Sequence, residues 1–146
     1  NKEKKVVTFD FDDTLSLAHF DHDESEWIHD GPHIPFIEKL KQHKAAGETV
    51  FVVTSRHESN ESSAMAHPEQ RAVQEFLDEH GIKVDGVYFT NGQLKVEKLL
   101  ELGASLHHDD DPEEIDAAEK AEIQTVISDP YGDYDSLKKS WLKTLK

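Results

Sequence analysis

A short apolar run that ends against three carboxylates constrains this chain more than any other feature. From Val6 to Ser16 the sequence reads V-V-T-F-D-F-D-D-T-L-S. Val6, Val7 and Phe9 suit a buried strand, whereas Asp10, Asp12 and Thr14 do not. The conflict resolves if the strand stops at Asp10 and delivers Asp10 and Asp12 into a polar crevice at its carboxyl edge. Carboxylates held that close repel each other unless a cation or a proton joins them.

The same alternation recurs along the chain. Apolar runs predict strands at 6–10, 49–54, 87–89, 104–108 and 125–127, and T-V-F-V-V-T at 49–54 is the most hydrophobic of them. Pro32 is expected to open a helix that carries Ile34, Ile37 and Leu40 and ends near Gly47. A second helix is expected from Pro68, with Val73, Phe76 and Leu77, up to Gly81. Helices at 95–102 and 112–120 follow, and a last amphipathic helix holds Leu137, Trp141, Leu142 and Leu145. Charged residues 16–31 and polar residues 55–63 read as loops, and Asn91-Gly92 as a turn. Strands alternating with helices predict an α/β fold with a mainly parallel sheet, as one domain over residues 1–146.

Composition narrows the partners. Sixteen basic against thirty-one acidic residues give a formal charge of −15, which argues against broad adhesion to nucleic acid or anionic membrane. There is no cysteine, so disulfides, thiolate catalysis and cysteine-ligated metals are excluded. No stretch approaches the roughly 20 apolar residues a membrane span requires, and a cytoplasmic protein is the expectation.

The polar residues that punctuate strand ends form a chemical set: Asp10, Asp12, Thr14, Thr54, Lys95, Asp109 and Asp110. A carboxylate at a strand end can attack phosphorus, and a second one two residues on can protonate the leaving oxygen and later activate water. Further carboxylates can hold Mg²⁺, a hard cation that takes oxygen ligands. A hydroxyl and an ammonium can bind the remaining phosphoryl oxygens.

This set resembles the haloacid dehalogenase superfamily of phosphotransferases. Its D-x-D-x-T motif is met by Asp10-Phe11-Asp12-Asp13-Thr14, and its second apolar strand ending in Ser or Thr by V-F-V-V-T with Thr54. Its lysine ahead of the fourth strand is met by Lys95, and its paired acids by Asp109-Asp110. The resemblance implies a three-layer Rossmann-like fold and a Mg²⁺-dependent phosphatase working through an aspartyl-phosphate. It makes Asp10 the nucleophile and a metal ligand. Asp12 becomes the general acid/base, with its backbone carbonyl on the metal. Thr14 supports that loop, Thr54 and Lys95 bind the phosphoryl group, Asp109 binds Mg²⁺, and Asp110 assists it or pairs with Lys95. Lys98 lies one turn into the helix, so Lys95 is preferred. The run Asp109–Asp111 leaves the register open by one, with Asp111-Pro112 reading as a helix cap. Asp12 favours ester hydrolysis, since the dehalogenating branch lacks a second aspartate there.

No stretch has room for a large cap domain. The site is therefore expected to be open, or covered only by segments 17–30 and 56–67. Capless members often act on large substrates or recruit a protein partner as cap. A weaker similarity links Thr54-Ser55-Arg56 to the Ser-Gly-Arg of phage polynucleotide kinase–phosphatases, with the glycine missing. Nucleotidase or polynucleotide-end (3′-) phosphatase activity is thus one alternative, and a catalytically idle binding module another. Arg56 and His57 read either as leaving-group contacts or as surface residues. His19, His22, His107 and His108 lack zinc-site spacing, and His108 reads as a structural histidine. Phe20 and Trp27 either fold over the site or anchor their loop.

Overall fold

The computed structural model describes residues 5–64 and 72–145 of the chain. Its elements are β1 (Val6–Phe9), β2 (Ser16–Asp21), β3 (Glu26–Pro32), α1 (Ile34–Ala45) and β4 (Thr49–Thr54), then a 3-10 turn (Glu58–Asn60) and α2 (Glu61–Ala64). There follow α3 (Val73–Glu79), β5 (Gly86–Phe89), α4 (Val96–Leu102), β6 (Leu106–Asp109), α5 (Pro112–Lys120), β7 (Gln124–Ile127) and α6 (Tyr134–Thr144). Five strands form a parallel sheet in the order β5-β4-β1-β6-β7. Phe9 pairs with Val52 on one side of β1 and His108 on the other. All five strands run one way, so Asp10, Thr54 and Asp109 emerge at a single edge.

Alternation along β4 sets the layers. Val50 and Val52 enter a core with Phe36, Ile37 and Leu40 of α1 and with Val73, Phe76 and Leu77 of α3. Phe51 and Val53 face the other way, toward Leu99 and Leu102 of α4 and Ala118 of α5. Helices therefore cover both faces, giving the three layers expected. Phe11, between the two key aspartates, is fully buried and packs edge-to-face on Phe76 at 5.2 Å. Burying such a ring contributes roughly 1.5–3 kcal/mol, so it anchors the D-F-D segment to the core. The chain then turns tightly. The Phe11 carbonyl accepts from the N–H groups of Leu15 and Ser16 at 2.9 and 3.0 Å, with Asp13 left-handed at φ 61.

Residues 16–31 are not a loop. They form an antiparallel hairpin in which His19 pairs with Ile28 and Asp21 with Glu26. Interspersed charges hide the strand pattern, and the cross-strand pairs that stabilise it are visible only once the two segments face each other. Tyr131, after β7, fastens the hairpin by donating to the Ala18 carbonyl at 3.0 Å and Asp30 at 3.1 Å. Pro32 closes β3 rather than opening α1, whose first turn carries Pro35 instead. Segment 55–63 holds the 3-10 turn and the start of α2. The expected helix start at Pro68 and the end of segment 56–67 lie outside the described residues. Only the hairpin separates β1 from α1, and only α4 separates β5 from β6, so the described residues hold no inserted domain. Among them, no helix is long and apolar enough to cross a membrane.

Candidate active site

Lys95 caps the start of α4 and reaches back beneath the sheet edge. Its Nζ donates to Asp10 Oδ1 at 2.8 Å and to Asp109 Oδ2 at 2.7 Å. Burial alone would lower the lysine's pKa, but Asp10, Asp109 and Glu114 outweigh it and hold the group well above its ordinary value. The Lys95 backbone N–H donates to Glu114 Oε1 at 3.0 Å. Lys98 lies apart, paired with Glu101 at 3.1 Å.

Asp109 is saturated with donors. Besides Lys95, it accepts from His107 Nε2 at 2.7 Å and from the N–H groups of Asp110 and Asp111 at 2.8 and 3.1 Å. Burial would raise its pKa, yet Lys95 and His107 hold it far below the usual carboxylate range. Burial lowers the His107 pKa against the pull of Asp109; because a carboxylate can only accept, Nε2 is the donor to Asp109 and Nδ1 faces the Thr8 hydroxyl at 2.8 Å. The last acidic residue of the run, Asp111, caps α5 through Glu113 N–H at 2.9 Å.

Asp10 has the opposite balance. Burial, then the charge of Asp109, pushes its pKa up to about 7 despite Lys95. Thr14 donates to its Oδ2 at 3.3 Å. Burial and the neighbouring Asp10 push Asp110 up to about 11. Asp10, Asp109 and Asp110 each bring a carboxylate oxygen within 4.8 Å of the others. Three carboxylates crowded at one buried edge form an all-oxygen donor set that fits Mg²⁺, whose charge would offset their mutual repulsion. Asp110 therefore joins Asp10 rather than Lys95, which pairs with Asp109.

Asp12 lines the same crevice, but its carboxylate is held by a different partner. Arg56 grips it as a fork, Nε to Oδ2 and Nη2 to Oδ1, both at 2.9 Å. Arg56 Nη1 also donates to Glu61 Oε2 at 3.1 Å, and Glu61 Oε1 accepts from the Val73 N–H at 2.8 Å. The guanidinium lies 4.9 Å from the Phe11 ring centre. Thr54 is buried and accepts from the Arg56 N–H at 3.2 Å, while its neighbour Ser55 lines the crevice. His57 is exposed beside Gly92, whose φ of 87 places it where a Cβ would lie 3.2 Å from the imidazole. His108 is structural, stacked on Phe9 at 3.8 Å and donating from Nδ1 to the Thr8 carbonyl at 3.0 Å. His19 pairs with Asp30 at 2.8 Å across the hairpin. Phe20 sits on the hairpin, partly exposed.

The crevice of about 410 Å³ joins these carboxylates and Lys95 to Leu137 and Trp141 of α6. Five residues were not assigned to the site from the sequence: His107, Glu114, Glu61, and Leu137 and Trp141 on α6. Period-two alternation places residues 107 and 109 on one strand face, a signal that could have found His107. Glu114 sits in the acidic first turn of α5, where nothing local distinguishes it from a residue that complements the helix dipole, and the other contacts are long-range.

No family model and no curated protein matches the sequence. Solved structures share its fold. A chain of the Pnkp1/Rnl/Hen1 RNA repair complex matches with a TM-score of 0.64 and 20% identity, covering 85% of this chain and 42% of that one. A second structure of the Pnkp1/Rnl/Hen1 complex gives 0.61 and 16%, covering 84% and 45%. A hypothetical protein from Xanthomonas campestris gives 0.55 and 20%, covering 88% and 67%. The chain thus spans less than half the length of the repair-complex chains it matches. At these identities the likeness establishes a common α/β fold.

Proposed function

We propose that this chain is a Mg²⁺-dependent phosphomonoester hydrolase acting through an aspartyl-phosphate on Asp10. The observation that carries the reading is the convergence of Asp10, Asp109 and Asp110, the first two held by one buried lysine, at the carboxyl edge of a parallel sheet. An oxygen of Asp10 attacks phosphorus while Lys95 and Thr14 fix the carboxylate's orientation. The ester oxygen departs with a proton from Asp12. Asp12 then takes a proton from water, which displaces the phosphoryl group and regenerates Asp10. Protonating Asp12 requires the Arg56 fork to loosen, and the guanidinium then meets the substrate. Ser55, which lines the crevice, would complete the phosphoryl contacts, with Thr54 and His57 flanking it on the same segment. Mg²⁺ held by Asp10, Asp110 and the Asp12 carbonyl, and by Asp109 once it gives up one of its donors, would neutralise charge on the phosphoryl oxygens.

A second reading draws on the repair-complex likeness: a nucleic-acid end as substrate and a protein as partner. The formal charge of −15 counts against long polyanions. Phosphate release from sugar phosphates, nucleoside monophosphates, phosphopeptides and end-phosphorylated oligonucleotides tests both, with and without Mg²⁺ and with Asp10→Asn as control. Turnover that needs both Mg²⁺ and Asp10 is expected. Turnover surviving either loss contradicts the mechanism, and the absence of both Mg²⁺ binding and turnover on every class favours an idle binding module.

A further inference from the structure

We propose that Trp141, with Leu137, forms a stacking platform that selects phosphomonoesters bearing a nucleobase, specifically nucleoside monophosphates. This rests on the phosphatase reading and names its substrate class. Leu137 and Trp141 lie four residues apart and so share one face of α6, which packs on α5 beside Pro112 and the acidic run. Leu137 is 44% exposed and Trp141 half-buried, so neither is consumed by the core. Leu142 and Leu145 are just as exposed but do not line the crevice. What sets Leu137 and Trp141 apart on α6 is their position beside the carboxylates.

An indole in this wall contributes nothing to breaking a P–O bond. It does offer a flat π face to whatever departs, and nucleobases stack on such faces whatever their sequence identity. A crevice of about 410 Å³ falls within the range of small-molecule sites, which suits a mononucleotide. One phosphate is met by Lys95 and the cation site. Each further phosphate of a polynucleotide would face a chain with thirty-one acidic and sixteen basic residues.

Two experiments decide it. In the first, kcat/KM with Mg²⁺ is measured for the unaltered protein, Trp141→Ala and Trp141→Phe on adenosine 3′- and 5′-monophosphate and on glycerol 2-phosphate. Trp141→Ala should lose about 5- to 100-fold on at least one nucleotide, mainly through KM, while glycerol phosphate moves by no more than about twofold. Trp141→Phe should retain most of the nucleotide rate. Equal losses on both substrate types, or none, overturn the platform. In the second, Trp27→Phe leaves Trp141 as the sole indole in an Asp10→Asn background. Adenosine monophosphate should quench its fluorescence saturably and ribose 5-phosphate should not. Absence of nucleotide quenching overturns the platform. Quenching without any turnover instead sinks the phosphatase reading and leaves the platform standing.

Discussion

Lys95 and Asp109 meet at 2.7 Å where almost no water reaches, the lysine 2% exposed and the aspartate fully buried. The ion pair persists there because Asp10 and Glu114 complete the surroundings of the lysine, and His107 those of the aspartate. Removing one member of a buried pair leaves the other charge uncompensated, typically at about 3–5 kcal/mol. Lys95→Met should lower unfolding free energy by that order in urea titrations without Mg²⁺. A loss below about 1 kcal/mol would mean the pair is not structurally coupled as described.

Asp110 behaves differently, because burial and Asp10 push its pKa up to about 11 and it carries a proton at neutral pH. Asn mimics the protonated carboxyl in shape and can still donate a hydrogen bond. Asp110→Asn should therefore leave the metal-free Tm nearly unchanged while removing most of the Mg²⁺-induced rise. Thermal scans in chelator and across a Mg²⁺ titration check this. An unaltered Mg²⁺ response would exclude Asp110 from the cation site.

The fork from Arg56 onto Asp12 is planar and two-pronged, a geometry lysine cannot reproduce. Arg56→Lys should reduce kcat/KM on any accepted substrate by roughly tenfold or more. Glu61→Ala, which releases the far side of the guanidinium and the Val73 N–H, should lower kcat more than it raises KM. Steady-state kinetics separate the two. A change confined to KM would place Glu61 outside the positioning of Asp12.

Burial depresses the His108 pKa from 6.5 to about 3, so the folded protein holds it neutral. The unfolded chain binds that proton first as pH falls, and the sign follows. His108 contributes its stability fully above pH 6.5 and loses it progressively down to pH 3, by up to about 1.4 kcal/mol per pH unit. Comparing His108→Phe with the unaltered protein isolates this slope from the carboxylates that titrate nearby. Between pH 6.5 and 5 the variant should lose less stability in urea titrations. Parallel pH profiles would contradict a neutral buried imidazole.

The sheet and the buried centre of the site were legible in the sequence because strand ends announce themselves. Apolar runs stopping at Asp10, Thr54 and Asp109 placed three residues on one edge once the strands were read as parallel. The 16–31 hairpin stayed hidden because charges break its alternation, and its stability comes from pairs such as His19 with Ile28. The grip of Arg56 on Asp12 joins residues 44 positions apart and leaves no local trace. Glu114 shows the converse: an acidic helix start looks solvated until the backbone of Lys95 arrives above it.

The most direct test of the central claim is chemical trapping of the intermediate. Protein turning over a phosphomonoester with Mg²⁺ is quenched, treated with borohydride, digested and sequenced by mass spectrometry. An acyl phosphate is reduced to an alcohol, so the account predicts homoserine at position 10 and nowhere else, dependent on substrate. Active turnover with an unmodified Asp10, or with reduction at Asp12, Asp109 or Asp110 instead, would contradict it.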